Sequence, residues 1–93
     1  MSLQFEWDAE KARTNASKHR VDFETAKGVF DDPYAYELFD DREAHGEDRF
    51  VIVGMVPELL LSVVYTERDG RIRLISARRA TRKERDDYVR QNA

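Results

Sequence analysis

The strongest constraint on the fold is a run of three predicted strands, the first two apolar, joined by two tight turns. Residues 50–56 and 59–66 are apolar at consecutive positions, as expected of central strands that are buried on both faces. Only Pro57-Glu58 separates them, so we expect an antiparallel hairpin. Asp69-Gly70 is a strong turn signal that leads into a further strand over residues 71–80. The second half of the chain is therefore predicted to form an antiparallel sheet.

Ahead of this sheet, the chain predicts a short strand and two helices. Residues 3–7 alternate between apolar and polar side chains, the pattern of a half-buried strand. Asp8 can cap a helix that ends near His19 and carries a stripe of small apolar residues: Ala9, Ala12 and Ala16. Asp22 can cap a second helix, which Pro33 ends because proline disfavours helical backbone in the residue before it.

The remaining segments complete an α+β chain. Residues 34–39 are predicted to form a strand and residues 40–48 an acidic loop. Thr81 and Glu84 have the spacing of a capping box, so the last helix is expected to start at Thr81 and to end near residue 91. The order β-α-α-β-β-β-β-α predicts a compact α+β fold with helices packed against a mainly antiparallel sheet. Its 93 residues contain no linker, so residues 1–93 are expected to form a single domain.

Composition excludes several classes of protein. The chain has no cysteine, which excludes a disulfide scaffold, a thiol nucleophile and the usual zinc or iron–sulfur ligand sets. The longest apolar run, broken by Ser62, is too short for a membrane span, and no signal peptide precedes it, so we expect a cytoplasmic domain. No cofactor motif is present, and no cofactor is expected. A solvated loop is favoured over a metal site for the four acidic-loop candidates, Asp40, Asp41, Glu43 and His45.

Charge is divided unevenly along a chain whose formal net charge is −3. Residues 31–48 hold eight acids and one base, whereas residues 68–85 hold eight bases, seven of them arginine, and two acids. Arginine's planar fork suits phosphate and carboxylate groups. A basic surface attracts a polyanion even on an acidic protein, because fields are local on a Debye length of about 8–10 Å. Two interpretations stay open: phosphate binding, or pairing of these arginines with the eight acids of residues 31–48, within the protein or across a partner.

The basic segment 71–80 is the most informative part of the chain. Strict alternation predicts one face formed by Arg71, Arg73, Ile75, Ala77 and Arg79, and the other by Ile72, Leu74, Ser76 and Arg78. The helix that follows adds Arg82 and Arg85 and presents backbone N–H groups at its start. A phosphate-binding surface around Arg78, Arg79 and Thr81 is therefore predicted.

Groups suited to proton transfer lie elsewhere. His19 is the first candidate, because histidine is the side chain best suited to general acid–base catalysis, and Lys18, Tyr65 and Glu67 are further candidates. The alternative for His19 is a histidine that only stabilises the C-terminal end of its helix. Tyr88 is more typical of the rim of a core than of a catalytic acid.

The order and spacing of motifs over residues 3–88 resemble the BrnT toxin family of bacterial type II toxin–antitoxin systems. The motifs are Phe5-Glu6-Trp7-Asp8, Asn15 with Lys18-His19, Val21-Asp22-Phe23-Glu24, Ala26, Val29-Phe30-Asp31-Asp32-Pro33, Gly46-Glu47, Arg49, Gly54, Tyr65-Thr66-Glu67-Arg68, Ile72-Arg73, Ile75-Ser76-Ala77-Arg78-Arg79-Ala80, Arg82, Glu84 and Arg85. The chain departs from the family's usual Lys-His-Gly at Arg20, which stands where a glycine would suit a left-handed helix end.

This resemblance implies a fold similar to the RelE-type ribonuclease toxins and an RNA-cleaving activity that arrests translation. It also implies an antitoxin of the BrnA type, which binds operator DNA through a ribbon-helix-helix domain. Two toxins and two antitoxins would form a complex that represses its own operon. No membrane partner is expected.

For such a toxin we expect metal-independent cleavage, in which the RNA 2′-OH attacks the adjacent phosphorus and arginines stabilise the added charge. The expected catalytic residues are His19, Glu67, Arg68, Arg78 and Arg79, and the expected RNA-binding residues are Lys18, Tyr65, Arg73, Arg82 and Arg85. Arg79→Ala is predicted to abolish cleavage and to leave the fold intact. The alternative is a non-catalytic module whose arginines only hold RNA or dock a partner.

Overall fold

A computed structural model describes residues 3–40 and 46–93 of the chain. The elements, in chain order, are β1 (Phe5–Glu6), α1 (Ala9–His19), α2 (Phe23–Ala26) continued by a 3-10 helix (Lys27–Asp31), β2 (Tyr36–Asp40), β3 (Arg49–Val56), β4 (Leu59–Arg68), β5 (Arg71–Arg79) and α3 (Arg82–Gln91). The strands form one sheet in the order β1-β5-β4-β3-β2. Only the β1–β5 pair is parallel, so the predicted α+β class, element order and mainly antiparallel sheet are confirmed.

The predicted helix starts and turns are also confirmed. Asp8 and Asp22 accept hydrogen bonds from backbone N–H groups of α1 and α2, and Thr81 and Glu84 form the reciprocal capping box of α3. Asp69 and Gly70 both have positive φ, as a tight hairpin turn requires. The second helix is shorter than predicted, because it tightens into the 3-10 helix from Lys27.

Helices cover both faces of the sheet. On the first, which we call the helix face, α2 and the 3-10 helix bury Phe23, Ala26 and Val29 against the inward side chains of β3, β4 and β5. On the second, α3 covers only one end, where Tyr88 and Ala80 pack on a small cluster of Tyr36, Val53 and Leu60. In the part of the chain that the structure describes, no helix covers the rest of this second face, so a ligand can reach the sheet there.

Strict alternation along β5 was wrong beyond Leu74. Val64 pairs with Ser76 but Tyr65 pairs with Leu74, so Ile75 is an extra residue that forms a β-bulge. Past the bulge the faces exchange, and Ala77 joins Ile72 and Leu74 in the core of the helix face. The second face therefore receives Arg71, Arg73, Ser76 and Arg78. Of the predicted acidic loop, residues 41–45, which include Asp41, Glu43 and His45, lie outside the described residues.

Candidate nucleic-acid interface

The uncovered part of the second sheet face carries arginines from three neighbouring strands. We call it the arginine face, and it consists of Arg49, Arg68, Arg71, Arg73 and Arg78. Cross-strand pairing explains the grouping, because residues opposite one another in register project to the same side. A groove of about 280 Å³ extends along this face from Leu38 on β2 past Val51 and Val64 to Arg78.

Two of the predicted residues on this face, Arg68 and Arg73, are held by carboxylates but keep free donors. Arg68 Nη2 donates to Glu47 Oε2 at 3.0 Å, and Arg73 Nη1 donates to Glu6 Oε2 at 2.9 Å. The hydrogen bond from Arg68 lowers the pKa of Glu47 and, in return, raises the pKa of Arg68. An arginine has five N–H donors, so each guanidinium is oriented by its acid and can still bind a phosphate.

Arg78 forms more hydrogen bonds within the described residues than Arg68 or Arg73. Its Nη1 and Nη2 donate to Glu84 Oε1 at 2.8 Å and Oε2 at 3.1 Å, and Nη1 also donates to the carbonyl of Arg79. Glu84 accepts from the backbone N–H of Thr81 at 2.8 Å and from Ser62 Oγ at 3.2 Å. Burial alone would raise the pKa of Glu84, but its hydrogen bonds outweigh burial and the pKa is lowered. The Glu84 carboxylate thus occupies the position that the sequence predicted for a phosphate.

The other predicted arginines, Arg79, Arg82 and Arg85, are exposed near the junction of β5 and α3. Arg79 pairs in register with Leu61, a core residue, so it leaves β5 on the helix face, opposite to Arg78. Among residues 3–40 and 46–93, no ion pair is found for any of the three. A phosphate bound by both Arg78 and Arg79 would have to lie at the end of the strand.

Lys18 and His19 lie at the edge of β5. They line a pocket at the end of α1 together with Ile75 and Ser76 of the bulge. Ser76 also lines the groove of the arginine face. Because β1 pairs with β5 only at Ile72 and Arg73, no strand separates this pocket from the groove. His19 and Arg78 therefore line two cavities that share Ser76.

Tyr65 and Glu67 are not brought to this surface. Tyr65 is 5% exposed in the core of the helix face, where its hydroxyl donates to Glu37. Burial and that hydrogen bond raise the pKa of Tyr65. Glu67 is exposed and pairs in register with Ile72, which places it at the far end of the helix face.

Sequence reasoning missed four residues that shape the site. Arg49 and Arg71 complete the arginine face, and the Arg49 Nε is buried without a hydrogen-bond partner among the described residues. Glu84 fixes Arg78, and buried Asn15 fixes the edge of β5. The capping-box spacing identified Glu84 as part of the helix cap but did not predict its hydrogen bonds to Arg78. For Asn15, the available signal was a polar residue at a position of α1 where an apolar residue is expected.

Three findings bound what the site can be. No group of three or more histidine, cysteine, aspartate or glutamate side chains that could hold a metal is found in residues 3–40 and 46–93. In the same ranges, no helix is long and apolar enough to cross a membrane. Within the described residues, the fold and the arginine face define a small α+β domain with an open sheet surface that is rich in arginine and suited to phosphate groups.

Comparison with known proteins gives the particular family. Residues 7–84 match the family described as the ribonuclease toxin BrnT of type II toxin–antitoxin systems. The chain belongs to this family, and the resemblance noted from its motifs is confirmed. Membership makes the chain a ribonuclease toxin by family and implies an antitoxin partner. A search of the curated proteins finds no match.

Proposed function

We propose that this chain cleaves RNA without a metal ion and holds the RNA phosphates along the arginine face. The observation that carries the proposal is the grouping of five arginines on one uncovered sheet face, beside a groove. Arginine donors aimed at phosphoryl oxygens stabilise the charge that develops when the 2′-OH attacks phosphorus. The P–O5′ bond then breaks, which leaves a cyclic phosphate on one product and a hydroxyl on the other.

In this proposal, Arg73 and Arg68 bind the reacting phosphate, because each keeps unused donors. Arg78, held by Glu84, orients the RNA strand at the end of β5, and Arg79, Arg82 and Arg85 continue the contacts around that end. His19, at the edge of β5 with Lys18 beside it, accepts the proton of the 2′-OH and returns it to the O5′ leaving group. Glu67 is not assigned a role in this reaction, because it leaves β4 on the helix face, away from the arginine face. We assign Tyr65 to the core instead of to RNA binding, because its hydroxyl is already bonded to Glu37.

The test is a cleavage assay in EDTA with the purified chain, free of antitoxin, and a labelled structured RNA. We expect cleavage by the wild type and a loss of about a hundredfold in Arg73→Ala, the typical effect of removing one donor to a developing oxyanion. Arg79→Ala in the same assay tests the prediction made from sequence. Arg13→Ala, which removes an exposed arginine from α1, is the charge-matched control and is expected to cleave normally.

The outcomes separate the two functions that the sequence left open. Cleavage lost in Arg73→Ala alone assigns the chemistry to the arginine face, and cleavage lost in Arg79→Ala alone assigns it to the other side of β5. RNA that is shifted in a salt-sensitive way by folded protein, but stays intact, indicates either a non-catalytic binding module or a nuclease that needs the ribosome, and adding ribosomes to the assay separates the two. The ion pairs of Arg68, Arg73 and Arg78 are the observation that favours this alternative, since they already neutralise much of the surface.

The partner is proposed to be an antitoxin of the BrnA type with a ribbon-helix-helix domain. Two toxins and two antitoxins would assemble in the cytoplasm, where the RNA substrate is found, and repress their own operon through the antitoxin's contact with DNA. Light scattering on the co-purified complex tests the stoichiometry. A gel shift with the operon's upstream DNA, with and without the toxin, tests repression, and equal shifts in both would contradict a role for the toxin.

A further inference from the structure

We infer that β2 is a docking edge, at which a basic, extended segment of the antitoxin adds a strand to the sheet. This inference uses the antitoxin partner implied by family membership and does not depend on whether the arginine face binds RNA. The segment would present basic and apolar side chains in the order basic–apolar–apolar–basic.

The first argument is that β2 is open at its outer edge. It is the last strand of the sheet and pairs on one side only, with β3. The opposite edge has fewer unpaired backbone groups. There β1 has only two residues, and the side chain of Asn15 forms hydrogen bonds with the N–H and carbonyl of Ala77 further along β5. Within residues 3–40 and 46–93, β2 is therefore the longest edge of unpaired backbone donors and acceptors, roughly 17 Å for five residues.

The second argument is that β2 lacks most of the features that protect natural edge strands; the exception is its two acids, Glu37 and Asp40, which repel an acidic strand but not a basic one. Edges are usually blocked by lysine, proline, a bulge or a covering helix. The strand Tyr36–Asp40 contains no lysine, proline or glycine, and it pairs with β3 without a register shift. Its two central residues are exposed and apolar: Leu38 is 55% and Phe39 is 59% exposed, on opposite faces of the sheet. A strand added beside β2 would cover both side chains.

The acidic charge of β2 indicates which kind of strand binds beside it. The segment Glu37-Leu38-Phe39-Asp40 has acids at both ends and two apolar residues between them. Glu37 is exposed and accepts the Tyr65 hydroxyl through one carboxylate oxygen, and Asp40 is half-buried. Residues 31–48 carry eight acids against one base. Opposite charges directly across a strand pair are stabilising, and like charges are destabilising. A second copy of β2 would bring four carboxylates to one seam, whereas a strand with bases opposite the two acids would be complementary. We therefore assign the β2 edge to a basic segment of the antitoxin.

The experiment measures amide hydrogen exchange of the free chain and of its complex with the antitoxin encoded beside it. We expect the amides of β2 to exchange more slowly in the complex. Two substitutions at one site then test the charge: Leu38→Arg and Leu38→Glu both remove the apolar contact, but only arginine repels a basic strand. We expect Leu38→Arg to weaken antitoxin binding by about tenfold or more, and Leu38→Glu to weaken it less.

Leu3→Arg is the matched control, because Leu3 is 54% exposed next to the opposite edge of the sheet, and binding should be unchanged. Exchange of β2 that is the same in the free chain and in the complex would overturn the inference, whatever the variants do. Stronger weakening by Leu38→Glu than by Leu38→Arg would overturn the basic partner. Slower exchange of β2 in the free chain at high concentration, together with a dimer mass, would assign the edge to a second copy instead. RNA cleavage by the free wild type is a separate measurement, so a failure of the proposed function is distinguished from a failure here.

Discussion

Asn15 and Ala77, 62 residues apart in the chain, are joined by two hydrogen bonds that fix α1 against the open edge of β5. The Ala77 N–H donates to Asn15 Oδ1 at 3.0 Å, and Asn15 Nδ2 donates to the Ala77 carbonyl at 2.8 Å. The same amide nitrogen also donates to the Val21 carbonyl at 2.9 Å. One buried side chain thus takes the place of a neighbouring strand just past the bulge that orients Arg78.

The first prediction concerns this bridge. Asn15→Ala leaves the N–H and carbonyl of Ala77 buried without partners, and we expect the free energy of unfolding to fall by about 3 kcal/mol. Urea denaturation measures it. Thr14→Ala, at the neighbouring exposed position of α1, is the control and should change stability by less than about 0.5 kcal/mol. A similar loss in both variants would mean that the helix, and not the bridge, is responsible.

A second prediction concerns the end of α1. Arg20 caps the helix with φ 58° and ψ 33°, a left-handed conformation that costs free energy in any residue with a Cβ. Arg20→Gly should raise the free energy of unfolding by about 0.5–1 kcal/mol. Arg13→Gly, in the middle of the same helix, should lower it by about 1 kcal/mol. Thermal melts of the two variants should therefore shift in opposite directions.

The capping residue Glu84 gives a pH-dependent prediction. Its pKa is lowered in the folded chain, so its charge stabilises the fold above the unfolded value of 4.5, and this stabilisation is lost as pH falls through the folded pKa. At pH 7, Glu84→Gln should be about 1–2 kcal/mol less stable than the wild type. The difference should shrink as pH falls below 4.5.

Glu24→Gln provides the reference for that experiment, because Glu24 forms an exposed ion pair with Lys27. Removing such a pair should cost less than about 1 kcal/mol. If the difference in free energy of unfolding between the wild type and Glu84→Gln stayed constant down to pH 3, a role for the charge would be contradicted. Loss of packing would then remain as the explanation.

The fourth prediction concerns two glycines, Gly54 and Gly28, that lie in close contact with neighbouring side chains. A Cβ on Gly54 would lie 3.0 Å from the backbone oxygen and the Cβ of Val29, and 3.1 Å from the Cβ of Ala35. Gly54→Ala should lower the free energy of unfolding by about 2 kcal/mol, because the 3-10 helix would have to move. At Gly28 the contact at 3.0 Å is with a methyl group of Val56, which can rotate, so Gly28→Ala should cost less. Equal losses in chemical denaturation would contradict this difference.

Prediction from sequence succeeded where the signal was local. The caps at Asp8, Asp22 and Thr81 and the turn at Asp69-Gly70 depend on a few adjacent residues, so the elements and their order followed from the chain alone. The apolar segments that became β3 and β4 also followed, since central strands are buried on both sides.

The candidate site was predicted less completely, because it depends on contacts between distant residues. Arg73 and Arg78 share a face, whereas strict alternation placed them on opposite faces. Pairing of the arginines with the acids of residues 31–48 was one open interpretation. Glu47, the partner of Arg68, lies in that segment, but Glu6 and Glu84 do not. Tyr65 lies in the core of the opposite face, which no periodicity in β4 distinguishes from a surface position.

The sequence by itself therefore determined which segments become helices and strands, how they begin and end, and the family to which the chain belongs. The tertiary structure alone decided which arginines form one surface. The reason is the bulge at Ile75, which arises when β5 pairs with β4 and Asn15 holds its outer edge. One extra residue in that pairing turns Arg78 to the side of Arg73 and sends Arg79 to the other.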